Sequence, residues 1–338
     1  MPGHDIIVMG ASSGGIESLM AVAAGLPRDL PAAVFVVLHI PATSHSWLPQ
    51  ILSSAGALPA HHVADEEPIE PGHIYVAPPD HHLLLDRGYV HVLRGPKENN
   101  HRPAIDPLFR SAARAYGPRV VGVVLSGALD DGSAGLLAVK RQGGVAIVQD
   151  PKDALFPSMP ENAMQIVDAD FCLKKSDIAA VLARLAVEEV KVKMDRPVSE
   201  EIKKETEIEA MDMSTIENDN KPGTPSVFGC PDCGGVLWEL QDGDLLRFRC
   251  RVGHAYGAEG LLSAQSEHLD AALWSAFRAL QEKAALSRRL AARARDSRRQ
   301  NLVEVFEKRA RSAENQSRAI RKLLTQKKGN PEGETPES

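Results

Sequence analysis

Four stretches in the first half of this chain, residues 6–9, 33–38, 120–125 and 145–148, are apolar or glycine at every position. Continuous apolar runs of this length are the pattern of strands covered on both faces. Between them the apolar positions recur at helical spacing over residues 16–26, 106–116, the stretch ending at Gln142, and 177–185. Residues 43–54 also read as helical. Shorter runs at 74–77, 82–85 and 90–93 read as further strands, the last two joined as a hairpin by Asp86-Arg87-Gly88. Strand and helix alternate up to about residue 187, which predicts a doubly wound α/β domain with a mostly parallel sheet.

The pattern then changes. Residues 188–220 hold eleven Asp/Glu and five Lys/Arg, with no sustained periodicity. They are expected to be a solvated, flexible linker running to residue 225. A small cysteine-bearing module follows at 226–256. Residues 257–328, rich in Ala, Leu, Arg and Glu, predict two long helices broken near Asp296–Asn301, a helical hairpin. Residues 329–338 read as a disordered tail.

The first apolar run ends in Gly10-Ala11-Ser12-Ser13-Gly14-Gly15. Gly10-x-Ser12-x-Gly14 has nucleophile-elbow spacing, which would lift the serine hydroxyl clear of the strand end and aim the amides of a helix N-terminus at an oxyanion. An anion-binding loop and a plain structural turn remain alternatives. The dinucleotide fingerprint fails, because Ser12 holds its middle position, and there is no Gly-Lys-Ser/Thr of a P-loop.

Ligands of open α/β sheets sit at the carboxyl ends of the strands. Ser12 ends the first strand and His39 the second, and Asp130 and Asp131 follow the run 120–125. Nucleophile, base and orienting acid would thus share one sheet edge. Each also has a bland reading: His39, near Pro41, as a turn cap, and one of the two aspartates as a helix N-cap. The order Ser, His, Asp disfavours the α/β-hydrolase fold, where the acid precedes the histidine.

Cys230-Pro231-Asp232-Cys233 and Cys250-Arg251-Val252-Gly253-His254 form C-x2-C, sixteen residues, then C-x3-H. Cys230, Cys233, Cys250 and His254 would complete a tetrahedral structural zinc site in a ribbon. A redox pair is the alternative. Cys172 is expected as a small buried hydrophobe.

A length of 338 residues, a net charge of -6 and 43% hydrophobic residues suit an ordinary globular α/β protein. No apolar run reaches membrane-spanning length and the start is no signal peptide, so membrane insertion is not expected and the cytoplasm is the expected location. Residues 277–328 hold sixteen Lys/Arg against five Asp/Glu, which a nucleic-acid arm would explain. A solvated helical hairpin explains it as well and is preferred. Leu269, Leu273, Trp274, Phe277 and Leu280 predict a packed or dimeric helix face.

Gly10-Ala11-Ser12-Ser13-Gly14-Gly15, His39-Ile40-Pro41, His101-Arg102-Pro103-Ala104-Ile105-Asp106, Gly127 to Gly135 and Met159-Pro160-Glu161-Asn162-Ala163 together resemble the catalytic domain of CheB chemotaxis methylesterases, in the family's order, over residues 3–186. The resemblance implies a Ser12–His39–Asp131 triad that hydrolyses glutamate γ-methyl esters on methyl-accepting chemoreceptors, with receptor glutamine deamidation as a second reaction. It implies no catalytic cofactor and the methylated cytoplasmic region of a receptor as partner. The amide of Ser13 is the candidate oxyanion donor, with His101 and Arg102 shaping the cleft. Ile40 and Ala128-Leu129 depart from the family's usual Met positions, which leaves open a binding or signalling module with little esterase activity. The family's usual receiver domain does not precede Asp5, so constitutive activity, a separate regulator, or control by the C-terminal half is expected.

Overall fold

The computed structural model describes residues 3–190, 200–209, 223–242 and 245–326. Among them, seven parallel strands form the main sheet. In chain order they are β1 (Ile6–Ala11), β2 (Ala33–Leu38), β3 (Ala60–His62), β5 (Ile74–Val76), β8 (Val120–Val124), β9 (Val145–Gln149) and β10 (Phe171–Leu173). The spatial order is β10-β9-β8-β1-β2-β5-β3, and every pairing is parallel. A short sheet holds β4 (Glu67–Pro68) beside the hairpin of β6 (His82–Asp86) and β7 (Tyr89–Leu93).

The strands are buried on both faces because alternate residues serve different helical layers. Ile6 and Val8 of β1 join the core formed with Leu108, Phe109, Leu136 and Met159, from α3 (Ile105–Tyr116), α4 (Ser133–Arg141) and α5 (Ser158–Ile166). Ile7, Met9 and Ala11 join the opposite core with Leu19, Leu52, Ile178 and Leu182, from α1 (Gly15–Gly25), α2 (Leu48–Ala55) and α6 (Lys175–Val187). The period of two along the strand thus makes the two-layered wrapping obligatory. After β1 the chain builds one side of the sheet, then returns to β1's other edge with β8. The crevice at the ends of β1, β2 and β8 is therefore the topological switch point.

Three local expectations are corrected. The helix expected over 43–54 is only α2, which starts at Leu48 with Pro49 in its first turn, a position where the missing N–H costs no helical bond. Cys172 is exposed rather than buried, because β10 is the edge strand of the sheet. Within the expected flexible linker, residues 200–209 form a helix, α7 (Glu200–Glu209), with Glu205 and Glu209 buried. The remaining linker stretches 191–199 and 210–222, and the tail 329–338, lie outside the described residues.

The cysteine-bearing module is a four-stranded antiparallel sheet of β11 (Thr224–Gly229), β12 (Val236–Asp242), β13 (Leu245–Cys250) and β14 (Ala255–Gly257). It belongs to the same compact unit as the α/β domain, residues 1–262, rather than standing apart. A buried network explains this. Arg110 of α3 donates to Glu98 and Glu209, Arg247 of β13 pairs with Glu205 through bonds of 2.8 and 3.0 Å, and Arg249 reaches Glu209 at 3.2 Å and Glu98 at 3.4 Å. The acidic residues that read as solvated linker are neutralised by arginines distant in sequence.

The described residues from 263 onward form the second unit. Its helices are α8 (Ala258–Asp296), which begins in the first unit, and α9 (Gln300–Gln326). Gln281–Ser317, Arg288–Glu314 and Arg295–Glu307 contacts run them antiparallel. No helix among the described residues is long and apolar enough to cross a membrane.

Candidate functional site

Three backbone hydrogen bonds gather the strand ends. His39 N–H donates to Ala11 O at 3.1 Å, Leu125 N–H to Gly10 O at 2.9 Å, and Ser12 N–H to Ser126 O at 3.0 Å. Gly14, with φ 69°, takes the left-handed position of the turn and caps α1, while Ser12 keeps an ordinary backbone. The turn therefore lifts Ser12 without strain on the serine itself.

Ser12, His39 and Asp131 meet there. His39 Nε2 lies 2.7 Å from Asp131 Oδ2, and Nδ1 lies 3.1 Å from Ser12 Oγ. An ionised carboxylate can only accept, so Nε2 carries the proton and Nδ1 is free to accept from the serine hydroxyl. The His39 and Asp131 side chains are 4% and 2% exposed, so the relay is shielded from water. Both His39 nitrogens are engaged in this way, rather than in capping a turn.

Asp131 accepts from five donors. Oδ2 takes the Ile105 N–H at 2.7 Å besides His39, and Oδ1 takes Asn99 Nδ2 at 3.0 Å and the amides of Gly132 and Asp106 at 3.0 and 3.2 Å. Burial pushes this carboxyl up, but the hydrogen bond from His39, with the Ile105 and Asn99 donors, outweighs it and holds Asp131 well below the usual carboxylate range. Its neighbours go the other way. Burial and then the charge of Asp131 raise Asp106 well above its ordinary value, and the same two causes lift Asp130 to about 6. The site thus keeps one ionised carboxylate facing the histidine among carboxyls pushed toward neutrality.

Asp130 does not cap the adjacent helix α4 with its side chain. Its Oδ1 accepts the N–H of Gly260, in the first turn of α8. His101 stacks on His39, and burial, then the neighbouring His39, lower it to about 3. Arg102 is held by two donations to Asp80 Oδ1, at 2.9 and 2.6 Å, and by one to Gly95 O. A cleft of about 750 Å³ opens over Ser12, its walls including Ser13, Ile16, His39, Lys97 and His101. Asn99 and Asp106 were missed as site residues from sequence. Their partners are 25 to 32 residues away along the chain, and no local spacing announces them.

The ligand atoms of Cys230, Cys233, Cys250 and His254 all lie within 4.8 Å of one another. The Cys233–Cys250 sulfurs are 3.7 Å apart, and His254 Nδ1 is 3.5 Å from Cys250 Sγ and 3.7 Å from Cys230 Sγ. Tetrahedral bonds of about 2.3 Å to sulfur and about 2.0–2.1 Å to nitrogen put ligands roughly 3.8 Å (S to S) and 3.5 Å (S to N) apart. The donor set and its spacing fit a tetrahedral metal.

Residues 7–182 match the sequence profile of the CheB methylesterase family. A putative protein-glutamate methylesterase/protein-glutamine glutaminase of Leptospira interrogans is 35% identical over 183 residues, 54% of this chain and 95% of that protein. Protein-glutamate methylesterase/protein-glutamine glutaminases of Hydrogenovibrio crunogenus and Rhodospirillum rubrum are 37% and 39% identical, over 52% and 54% of this chain but only 48% and 49% of their own lengths. The crystal structure of the Thermotoga maritima CheB methylesterase catalytic domain superposes with a TM-score of 0.52 at 34% identity, covering 54% of this chain and 98% of that one. The four-stranded module and the long helices lie beyond the matched residues.

Proposed function

The chain belongs to the CheB methylesterase family, and on that premise we propose that it hydrolyses γ-methyl esters of glutamate side chains in the cytoplasmic region of methyl-accepting chemoreceptors. Ser12 is the nucleophile, His39 the general base and acid, and Asp131 the group that orients and stabilises His39. The observation that carries this reading is the shielded relay from Ser12 Oγ through His39 to the ionised Asp131.

Nδ1 of His39 takes the Ser12 proton as Oγ attacks the ester carbonyl. The amide of Ser13, at the N-terminus of α1, donates to the developing oxyanion. His39 returns the proton to the leaving methoxide, and methanol departs. A water, deprotonated by His39, then attacks the acyl-enzyme, releasing the glutamate carboxylate and restoring Ser12. A glutamine side chain would follow the same path with ammonia as the leaving group.

The test is methanol release from a methylated receptor fragment by the intact chain and by Ser12→Ala. Release by the parent that falls at least 1000-fold in the variant is expected, within the range of triad losses. No release from either protein overturns the substrate assignment.

Cys230, Cys233, Cys250 and His254 hold a structural zinc in this reading. All four positions are filled by protein, which leaves none for a reacting water. The metal would cross-link the turn between β11 and β12 to the end of β13 and the start of β14, and so help to hold the sheet folded. The purified chain should carry one equivalent of zinc, and Cys230→Ser should lose it. A parent chain without metal that keeps the sheet folded would refute this.

A further inference from the structure

Asn99 bonds at one end to the proposed triad and at the other to the cysteine-bearing module. Its Nδ2 donates to Asp131 Oδ1 at 3.0 Å, and its Oδ1 accepts the Gly257 N–H at 2.7 Å. Gly257 ends β14 and leads directly into α8. The backbone repeats the connection: Asn99 N–H donates to Ala255 O at 2.8 Å, and Ala255 N–H to Lys97 O at 3.2 Å. Residues 97–99 thus lie as an added edge against β14, with Glu98 bridged to Ala255 in parallel. Ala255 directly follows His254 of the cysteine–histidine cluster.

The segment is held in shape from outside. Asn99 and Asn100 both take left-handed backbones, with φ 50° and 66°, which asparagine tolerates better than most residues. Asn99 is only 3% exposed, and Glu98 beside it accepts from Arg110 of α3 and Arg249 of β13. A carboxamide suits the place because it donates and accepts at once. Neither a carboxylate nor an aliphatic chain of the same size can serve both Asp131 and Gly257.

We propose that Asn99 is a positioning residue for the reaction, turning Asp131 so that Oδ2 faces His39, and that the cysteine-bearing sheet, through Ala255 and Gly257, sets where Asn99 sits. The sheet beyond the family domain is then a working part of the catalytic site. The proposal rests on the triad reading above and needs no particular ester.

The experiment uses the full chain with Asn99→Ala, Gly257→Ala and the double variant. A Cβ at Gly257 would fall 2.0 Å from Asp130 Oδ2, so that change displaces the junction. Three readouts are taken: the rate of Ser12 labelling by a fluorophosphonate, kcat and KM for methanol release, and the thermal melt. Asn99→Ala should slow labelling and kcat by about 10- to 100-fold with KM within about threefold, and Gly257→Ala should slow both by a smaller factor. The double variant should be no slower than Asn99→Ala, because both act through one link. Labelling within threefold of the parent in Asn99→Ala, or losses that multiply in the double variant, would overturn the proposal. A parent that labels at Ser12 yet releases no methanol refutes the ester assignment alone, and the labelling rates still judge Asn99.

Asn99→Asp guards against simple misfolding. It keeps the acceptor for Gly257 but, once ionised, cannot donate to Asp131. Its labelling rate relative to the parent should be lower at pH 8 than at pH 6. A ratio near one at both values would overturn the role.

Discussion

His101 lies flat on His39, with ring centroids 3.7 Å apart and planes 11° apart. Two imidazoles at that distance cannot both carry charge cheaply. Burial lowers His101 to about 3, and the neighbouring His39 adds to the effect, so His101 stays neutral and serves as an aromatic wall that fixes the plane of the proposed base.

This stack makes an acid-stability prediction. The ordinary histidine value is 6.5, so between that and about 3 the unfolded chain binds one more proton at His101 than the folded chain. Stability therefore falls as pH drops through that window, by up to about 1.4 kcal/mol per unit, and is fully present above 6.5. His101→Phe keeps the stack and removes the proton. Parent minus variant stability, from urea unfolding at pH 7, 6, 5 and 4, should decline steadily toward acid. A constant difference would mean that His101 titrates alike in both states.

The two adjacent aspartates should separate cleanly. Asp131→Asn puts an amide where His39 Nε2 now donates, which favours the wrong tautomer and protonates Nδ1 against Ser12. The expected loss in kcat is about 10³- to 10⁴-fold by the serine-protease precedent. Asp130 faces the start of α8 instead, accepting from Gly260 at 3.2 Å, so Asp130→Asn should change kcat less than about 10-fold. Methanol release by both variants decides it, and equal losses would refute the assignment.

How far all this was legible in the sequence follows from the range of each interaction. Ser12 and His39 sit at the ends of continuous apolar strands, and Asp131 on the loop that follows a third. That a serine, a histidine and one of Asp130 and Asp131 share a sheet edge could be argued from the parallel alternation; the choice of Asp131 came only from the family resemblance. The Gly88 hairpin was equally local. What escaped was non-local. Glu205 and Glu209 looked like solvated linker because Arg110, Arg247 and Arg249, which neutralise them, lie 38 or more residues away. Asn99 carried no motif, since its meaning comes from Asp131 on one side and Gly257 on the other. Cys172 was misjudged because nothing in its apolar surroundings says that β10 is an edge.

That buried charge network predicts a contrast in stability. Arg110 and its partners Glu98 and Glu209 have side chains no more than 4% exposed. Arg110 also approaches Glu205 at 3.3 Å, so Arg110→Met would leave two arginines, Arg247 and Arg249, for three buried carboxylates and should cost about 3–5 kcal/mol. Arg295 pairs with Glu307 at 2.6 Å, but their side chains are 61% and 41% exposed, so solvent screens the pair and Arg295→Ala should cost less than about 1 kcal/mol. Denaturant unfolding of the two variants tests the ranking. Similar losses would show that α7 does not depend on the arginines.

Gly10 tests whether strand packing and the carboxylate are mechanically joined. A Cβ on Gly10 would lie 2.3 Å from Ile105 Cγ2, with the next two nearest atoms also in the Ile105 side chain. Ile105 in turn donates its N–H to Asp131 Oδ2 at 2.7 Å, the oxygen that faces His39. Overpacking of this kind costs about 1–3 kcal/mol. Here it should also slow Ser12 labelling, because a displaced Ile105 carries its amide with it. Trimming the obstruction should relieve both effects. Ile105→Ala alone opens a cavity worth about 2–5 kcal/mol, yet in the Gly10→Ala background the new methyl fills part of it, so the double variant should be more stable than the sum of the single losses. Strict additivity in stability, with labelling unchanged in Gly10→Ala, would mean that the backbone of α3 absorbs the clash before it reaches Asp131.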